Sequence, residues 1–484
     1  MLIRKKLLFI LSVLALSWSC KKQPVEPNNP DGEGGTTVEA KNEVVNNWIY
    51  AKMKEYYLWE SDLAAEESTN LSLSPDAYFE SLLVEPGVVD RFSWIQASSE
   101  ELRNSLNGFT STFGLKYKFY YMDAQRTRIA AAITYTLKNS VSERAGIKRG
   151  DFITKVNGQN LTTDNYTAAF KDETITVTLG KYLNGEITDT ENSYELTKEV
   201  TQADALQHYS ILEFGDKKIG YFVYTQFLTS NDRSLNNMFA EFKSEGINEL
   251  VVDLRFNPGG YISSAELLSS QIVTGLDESN LMTRQIWNAS QTEKMTKEYG
   301  DGVFNTYFFK NKAGLGDVNN VGDQLSRVYF LVSNGSASAS ELLINNLRPY
   351  MQVKLVGTHT YGKNVGSITI DDDSDPKRWQ WGMQPIVLKS ENARGESDYG
   401  TKLGFTPDIE VNDNLLPFRP FGDTDETLLN AALVDILGSG TVAKAGKNLK
   451  VSPKGEFKAL FDESFSDNPY MNRKEMWITH FPGQ

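Results

Sequence analysis

Three short segments of the chain carry residues whose types and spacing could do chemistry. The first, Asn334-Gly335-Ser336-Ala337-Ser338-Ala339-Ser340-Glu341, lies between an apolar run ending near Val332 and a helical run reaching Arg348. Small residues let another chain approach closely, and a helix N-terminus offers free N–H groups and its positive dipole end. A serine in that place is an N-cap when alone, and a nucleophile beside an anion site when a base is within reach. The second segment, Thr360-Tyr361-Gly362-Lys363, puts a lysine 25 residues after Ser338. A lysine is a general base only when neutral, which takes a buried, partly apolar setting. Leu355, Val356, Tyr361, Val365 and Ile368 could supply that setting, whereas a lysine without it is a solvated surface charge. The third segment, residues 251–260 (VVDLRFNPGG), is a buried-type strand running into Gly259-Gly260. A glycine pair lets the main chain fold sharply and aim an N–H at a developing oxyanion, or it serves as a plain strand-to-helix turn.

These segments need elements to hold them, and the apolar patterning supplies an alternation of strand, glycine turn and helix. Residues 218–223, 249–254, 327–332 and 353–356 read as strands, and residues 262–273 and 338–348 as helices, the second stopped by Pro349. Such alternation predicts an α/β module over 206–440 with parallel crossovers. Before it, the period changes to two at Leu115, Tyr117, Phe119 and Tyr121, and β-rich runs follow at 129–137, 152–156 and 175–179. A short helix near Ser142–Ala145, a Gly150-Asp151 turn, an Asn157-Gly158 hairpin turn and a helix opening at Thr163-Asp164 complete a β-rich module over 108–205. Earlier still, Val45, Ile49, Met53 and Tyr56 recur at helical spacing. Ser74-Pro75-Asp76 marks a helix start, and Ser98 with Glu101 a capping box. Residues 41–107 are therefore expected to form a small helical domain whose aromatics pack a core.

Composition narrows the chemistry. With 49 basic and 63 acidic residues the net charge is −14, which offers no electrostatic grip on nucleic acid or an anionic bilayer surface. One cysteine and three scattered histidines (His208, His359, His480) exclude a disulfide framework and a zinc cluster, and they weaken any histidine-based triad. No metal or nucleotide cofactor is expected. The chain opens with Arg4, Lys5 and Lys6, an apolar run from Leu7 to Leu16, and Ser17-Trp18-Ser19-Cys20, the order of a signal peptide over 1–19. Cys20 stands where a bacterial lipoprotein would be lipidated, and a Pro- and Gly-rich spacer follows to about residue 40. The expectation is an exported lipoprotein, periplasmic or held at the outer membrane, that touches the bilayer only through this anchor.

Rival motifs fail on their own terms. Gly357 to Lys363 approaches a phosphate-binding loop, but Asn364 stands where a Ser or Thr should ligate magnesium. Ser374-Asp375-Pro376-Lys377 spells S-x-x-K in an acidic, proline-broken loop without its partner motifs, and no G-x-S-x-G elbow occurs.

The residues 145–153 (AGIKRGDFI), within their order of strands and helices, resemble the PDZ modules of bacterial proteases. That resemblance implies capture of a peptide strand at a sheet edge, with Phe113-Gly114-Leu115 as the loop that holds a terminal carboxylate. Together with D-L-R-x-N-x-G-G, S-A-S-A-S-E and the G-K pair, residues 110–410 resemble the C-terminal processing, or tail-specific, proteases, S41 serine peptidases related to the tricorn core protease. The resemblance implies a catalytic core of the ClpP/crotonase-like fold, with Ser338 as nucleophile and Lys363 as base. It implies an oxyanion hole from the N–H of Ala339 and that of Gly259 or Gly260, and protein or peptide substrates. The family often has a glutamine four residues after the lysine to orient its amine. Ser367 stands there instead, as a hydroxyl that could take the same part. Non-catalytic binding proteins share this fold, so a peptide- or ligand-binding protein is the alternative, as is a PDZ-type scaffold. Residues 441–484 form an extension with no functional reading.

Overall fold

The computed structural model describes residues 38–123, 125–438, 459–460, 465–466 and 475–478; the signal segment, Cys20 and the spacer up to residue 37 lie outside them. At the centre, the strands Lys217–Tyr224, Glu249–Asp253, Arg327–Val332, Gln352–Gly357 and Ile409–Glu410 lie side by side and parallel, and Leu206–Phe214 adds an antiparallel edge. Their runs are apolar on both faces because helices cover both. On one face Val252, Phe330 and Leu355 pack against Leu235 and Phe239 of the helix Asp232–Glu245, Leu268 of Ile262–Ile272, and Leu343 of Ala339–Leu347. On the other, their neighbours Val251, Tyr329 and Val356 pack against Leu429 and Leu433 of the helix Thr427–Leu437. The expected parallel crossovers are present.

A second six-stranded sheet runs Gly259–Tyr261, Glu475–Trp477, Val365–Ser367, Ile386–Asn392, Leu281–Trp287 and Asn305–Tyr307. After Lys363 the chain forms two short strand pieces. Val365–Ser367 belongs to this sheet, while Ile370–Asp371 joins a separate one with Gly382–Gln384 and Trp94–Gln96. Ile368 and Ile370 turn away to pack in the apolar cluster of the helical region.

The β-rich module builds a sheet from Leu115–Tyr121, Ile129–Thr136, Phe152–Val156, Thr174–Leu183 and Glu186–Thr197 around its own apolar cluster. Asn157 and Gly158, both at positive φ, close the expected hairpin between Val156 and Gln159. The N-terminal helices Val38–Tyr56, Pro75–Ser81 and Ser99–Leu106 do not close on themselves in this way. Ile49, Met53, Tyr78 and Phe79 share one cluster with Trp287, Met383 and Leu388 of the α/β module. Ser98 Oγ accepts from Glu101 N at 3.1 Å, but the Glu101 carboxylate receives Gln96 Nε2, so only half of the capping box forms.

Candidate active site

The helix Ala339–Leu347 follows Arg327–Val332 as predicted, and the turn between them is stitched by serines. Ser333 Oγ donates to Arg255 O at 2.5 Å, Ser336 Oγ to Leu254 O at 2.7 Å and Ser340 Oγ to Asn257 O at 3.0 Å, while Ala337 N donates to Asn257 O at 3.1 Å. The serine-rich segment is thus fastened along the D-L-R-F-N run, and two of its three alternating serines act as fasteners. Ser338 is different. Among the described residues its Oγ is buried without a hydrogen-bond partner, and its backbone sits at φ 64°, ψ −113°, a region that side-chain-bearing residues rarely adopt. A hydroxyl placed at a helix N-terminus by a strained backbone, with its bonding capacity unfilled, is available for chemistry.

Glu341 fixes this serine to the lysine segment. Its fully buried carboxylate receives Ser338 N at 2.8 Å and Lys363 N at 2.9 Å on Oε2, and Gly362 N at 2.7 Å and Thr360 Oγ1 at 2.5 Å on Oε1. The backbones of Ser338 and Lys363 therefore meet on a single oxygen atom. Burial pushes this carboxyl up to about 7, while its donors, Thr360 first, pull in the opposite direction. Hydrogen bonds to a charged group contribute about 1.5–3 kcal/mol each, so four on one buried side chain make a rigid joint. Gly362 must be glycine here: its φ is 88°, and a Cβ would lie 1.6 Å from Thr401 O. In the sequence the mark of this role is a glutamate three residues after the cap at Ser338.

Lys363 is fully buried, and its Nζ lies 4.9 Å from the ring centroid of Phe92. It does not hydrogen-bond Ser338 Oγ in this state, since that oxygen has no partner. Phe92 comes from the helical region, and next to it Arg91 donates through Nη2 to Gly362 O and stacks over Phe92 and Tyr361. Neither residue carries a local sequence signal, because what matters is their position 271 residues away in the chain from the loop that Arg91 meets. Ser367, considered as an orienter of the amine, does not act so here: its Oγ donates to Met476 O at 3.3 Å.

The glycine pair lies alongside. Ala339 is the first helical residue, whose N–H has no intrahelical acceptor. Gly259 N donates to Asn257 Oδ1 at 2.9 Å, so its N–H is engaged within its own turn. Phe227 N donates to Gly259 O at 2.8 Å and Tyr261 N to Phe227 O at 2.9 Å. Strand alternation then turns the N–H and C=O of Gly260 to the opposite edge. Only glycine fits at 260, where φ is 140° and a Cβ would lie 2.1 Å from Phe227 O.

Arg255 of the same run is structural. Buried at 1% exposure, it bonds Asp253 Oδ2 at 2.7 Å, Asp413 Oδ2 at 2.8 Å and Glu426 Oε2 at 2.9 Å, and Arg149 of the β-rich module reaches Glu426 Oε1 at 3.1 Å. In the loop expected to hold a peptide carboxylate, Phe113 and Leu115 are buried in the module's core and Gly114 N is engaged by Thr112 Oγ1 at 2.9 Å.

Comparison with known proteins places this geometry. Residues 218–411 match the model of peptidase family S41, residues 44–94 that of the peptidase S41 N-terminal domain, and residues 133–179 a PDZ domain. A Staphylococcus aureus protein named Probable CtpA-like serine protease is 28% identical over 250 residues, 51% of this chain and 44% of its own length. One of the same name from Staphylococcus saprophyticus is 25% identical over 314 residues, 61% of this chain and 55% of its own. The matches thus span about half the length of these curated relatives. A crystal structure of an S41-type protein from Bacteroides fragilis superposes with a TM-score of 0.67 at 26% identity, covering 80% of this chain and 96% of that one. Helical N-terminal region, PDZ domain and α/β core therefore stand together, and the chain belongs to peptidase family S41.

Proposed function

We propose that the protein is a serine endopeptidase of the C-terminal processing type that works through Ser338 and Lys363. The observation that carries this reading is the contrast among the three serines: Ser336 and Ser340 bond backbone carbonyls, whereas Ser338 has an unpartnered buried hydroxyl on a strained N-cap, tied through Glu341 to the lysine. In the reaction the Lys363 amine leaves the Phe92 ring and takes the Ser338 proton as Oγ attacks the substrate carbonyl. The oxyanion is held by the N–H of Ala339 and by that of Gly260, which lies on the edge paired with Glu475–Trp477 while the N–H of Gly259 is engaged in its own turn. Collapse expels the amine product, which takes the proton from the Lys363 ammonium and leaves an acyl-serine. Water then passes a proton to the same amine, its oxygen attacks the acyl carbon, and Ser338 recovers its proton as the acid product leaves.

The PDZ domain captures an extended segment of an unfolded or tail-exposed protein and raises its concentration near the serine. Access to the fully buried Ser338 and Lys363 requires movement, which we assign to the PDZ domain. The N-terminal segment reads as an export signal with Cys20 as lipid anchor; metabolic labelling with a radioactive fatty acid, lost in Cys20→Ala, is the expected result. The activity is tested with residues 21–484 and casein beside Ser338→Ala and Lys363→Ala, read by intact mass. Fragments from the native form alone support the protease. Three inert forms that still bind peptide support a binding protein on this fold.

A further inference from the structure

The described parts of the C-terminal extension do not sit at random on the surface. Phe465 and Ser466 pair antiparallel with Tyr117 and Lys116, Ala459 bridges Tyr120, and Leu460 N donates to Phe119 O at 2.8 Å. This is the edge of the PDZ sheet on the far side of Leu115–Tyr121 from Ile129–Thr136, and Leu460 packs against the apolar cluster that contains Phe119 and Phe170, with Tyr166 alongside. The chain runs towards Gly114, the direction of a peptide added to a sheet edge by strand pairing. Further on, Glu475–Trp477 enters between the two strands that flank the candidate chemistry. It pairs parallel with Gly259–Tyr261 on one side, and on the other Ile478 N donates to Ser367 O at 3.2 Å while Met476 O receives Ser367 Oγ. The edge of Gly260 that carries its N–H faces this segment, and Met476 and Trp477 are buried.

We propose that the chain's own C-terminal segment is the resident occupant of the substrate path, so that an incoming polypeptide binds by exchanging with it. The inference rests on the protease reading for the meaning of the path, but the strand pairing itself does not depend on it. An incoming strand is an extended polypeptide, antiparallel on Leu115–Tyr121 and parallel beside Gly259–Tyr261. Because residues 475–478 continue beyond the PDZ edge, the stretch on that edge need not end in a free carboxylate. The engagement of Gly114 N by Thr112 agrees with this. The buried state of Ser338 and Lys363 is then the occupied state.

The test is a reversible lock. Cys20 is the single cysteine, so residues 21–484 contain none, and Lys116→Cys with Ser466→Cys places a thiol on each member of one cross-strand pair. The oxidised form should cleave casein and bind a fluorescein-labelled peptide of sequence 459–478 at least tenfold less well than the reduced form, with each single variant insensitive to oxidant. Equal behaviour of oxidised and reduced forms overturns the proposal, as does a pair that fails to oxidise, or a reduced form that binds no peptide. If no form cleaves casein while only the reduced form binds peptide, the occupant stands and the Ser338–Lys363 reading falls.

Discussion

The PDZ domain and the N-terminal helical region both flank the α/β core, and they relate to it differently: the PDZ domain meets it through a small cluster in which Tyr120 and Phe152 pack with Phe418, but also has a core of its own. The PDZ cluster draws its buried residues from Phe113 to Leu196, a single stretch of chain, with Leu460 of the C-terminal segment packed alongside. The helical cluster joins Ile49, Met53 and Phe79 to Trp287, Ile368, Met383 and Leu388, so the helical region has no core apart from the α/β module. A domain with its own core can move as a body, and one that shares a core cannot. The difference teaches where each acts: the proposed function gives the PDZ domain the handling of substrate, while the helical region shapes the site, placing Phe92 over Lys363 and Arg91 on Gly362.

The largest effect that would sharpen this comparison lies in the core that both regions serve. Ser338→Ala and Lys363→Ala should each lower casein cleavage by at least about 10³-fold, with thermal midpoints near the native one. Lys363→Arg should be as inactive, because a guanidinium does not give up its proton. Glu341→Gln should cost about 100-fold in kcat/KM and lower the thermal midpoint, since an amide turns N–H donors towards the N–H groups of Ser338, Gly362 or Lys363.

The same carboxyl makes a pH prediction with a definite sign. Glu341 sits at about 7 in the folded chain against an ordinary 4.5, so between those values the folded state holds the proton more tightly. Its contribution to stability is present below about 4.5 and lost as pH rises through 7. Turnover should run the other way, because only the carboxylate can accept all four donors. Chemical denaturation and kcat measured from pH 5 to 8 should therefore show opposing slopes, both flattened in Glu341→Gln.

Smaller effects separate the two regions. Phe92→Ala should lower kcat about tenfold with little change in KM, a loss that a purely structural helical region would not concentrate in kcat. Tyr166→Ala, beside the PDZ edge, should raise KM a few-fold for casein and leave a short peptide unaffected. Expressed alone, residues 108–205 should show a cooperative thermal transition and residues 41–107 should not. Cooperative unfolding of both would break the comparison.

Much of the fold was legible in the chain because it is written in local patterning. The period-two run at Leu115–Tyr121, the Asn157-Gly158 turn and the strand Arg327–Val332 need only nearest neighbours to be recognised. Ser338 and Lys363 were singled out by motif and spacing, whereas Glu341, Asn257, Arg91 and Phe92 were not. Their importance lies in contacts with distant parts of the chain, and a glutamate, an asparagine or an aromatic carries no mark of its partner.

What the sequence determined by itself was the alternation of elements, the acidic charge, the scarcity of histidine and cysteine, and the order of three motifs. What only the tertiary structure decided was which groups are engaged and which are left available. Among three serines it left one hydroxyl unpartnered. Of two glycines it tied one N–H within its own turn and set the other on the edge where Glu475–Trp477 pairs, and it carried the C-terminal segment back across both the PDZ edge and the Gly259–Tyr261 strand. A hydrogen bond joins two positions in space, and no single position in a chain states where its partner will be once the core has closed.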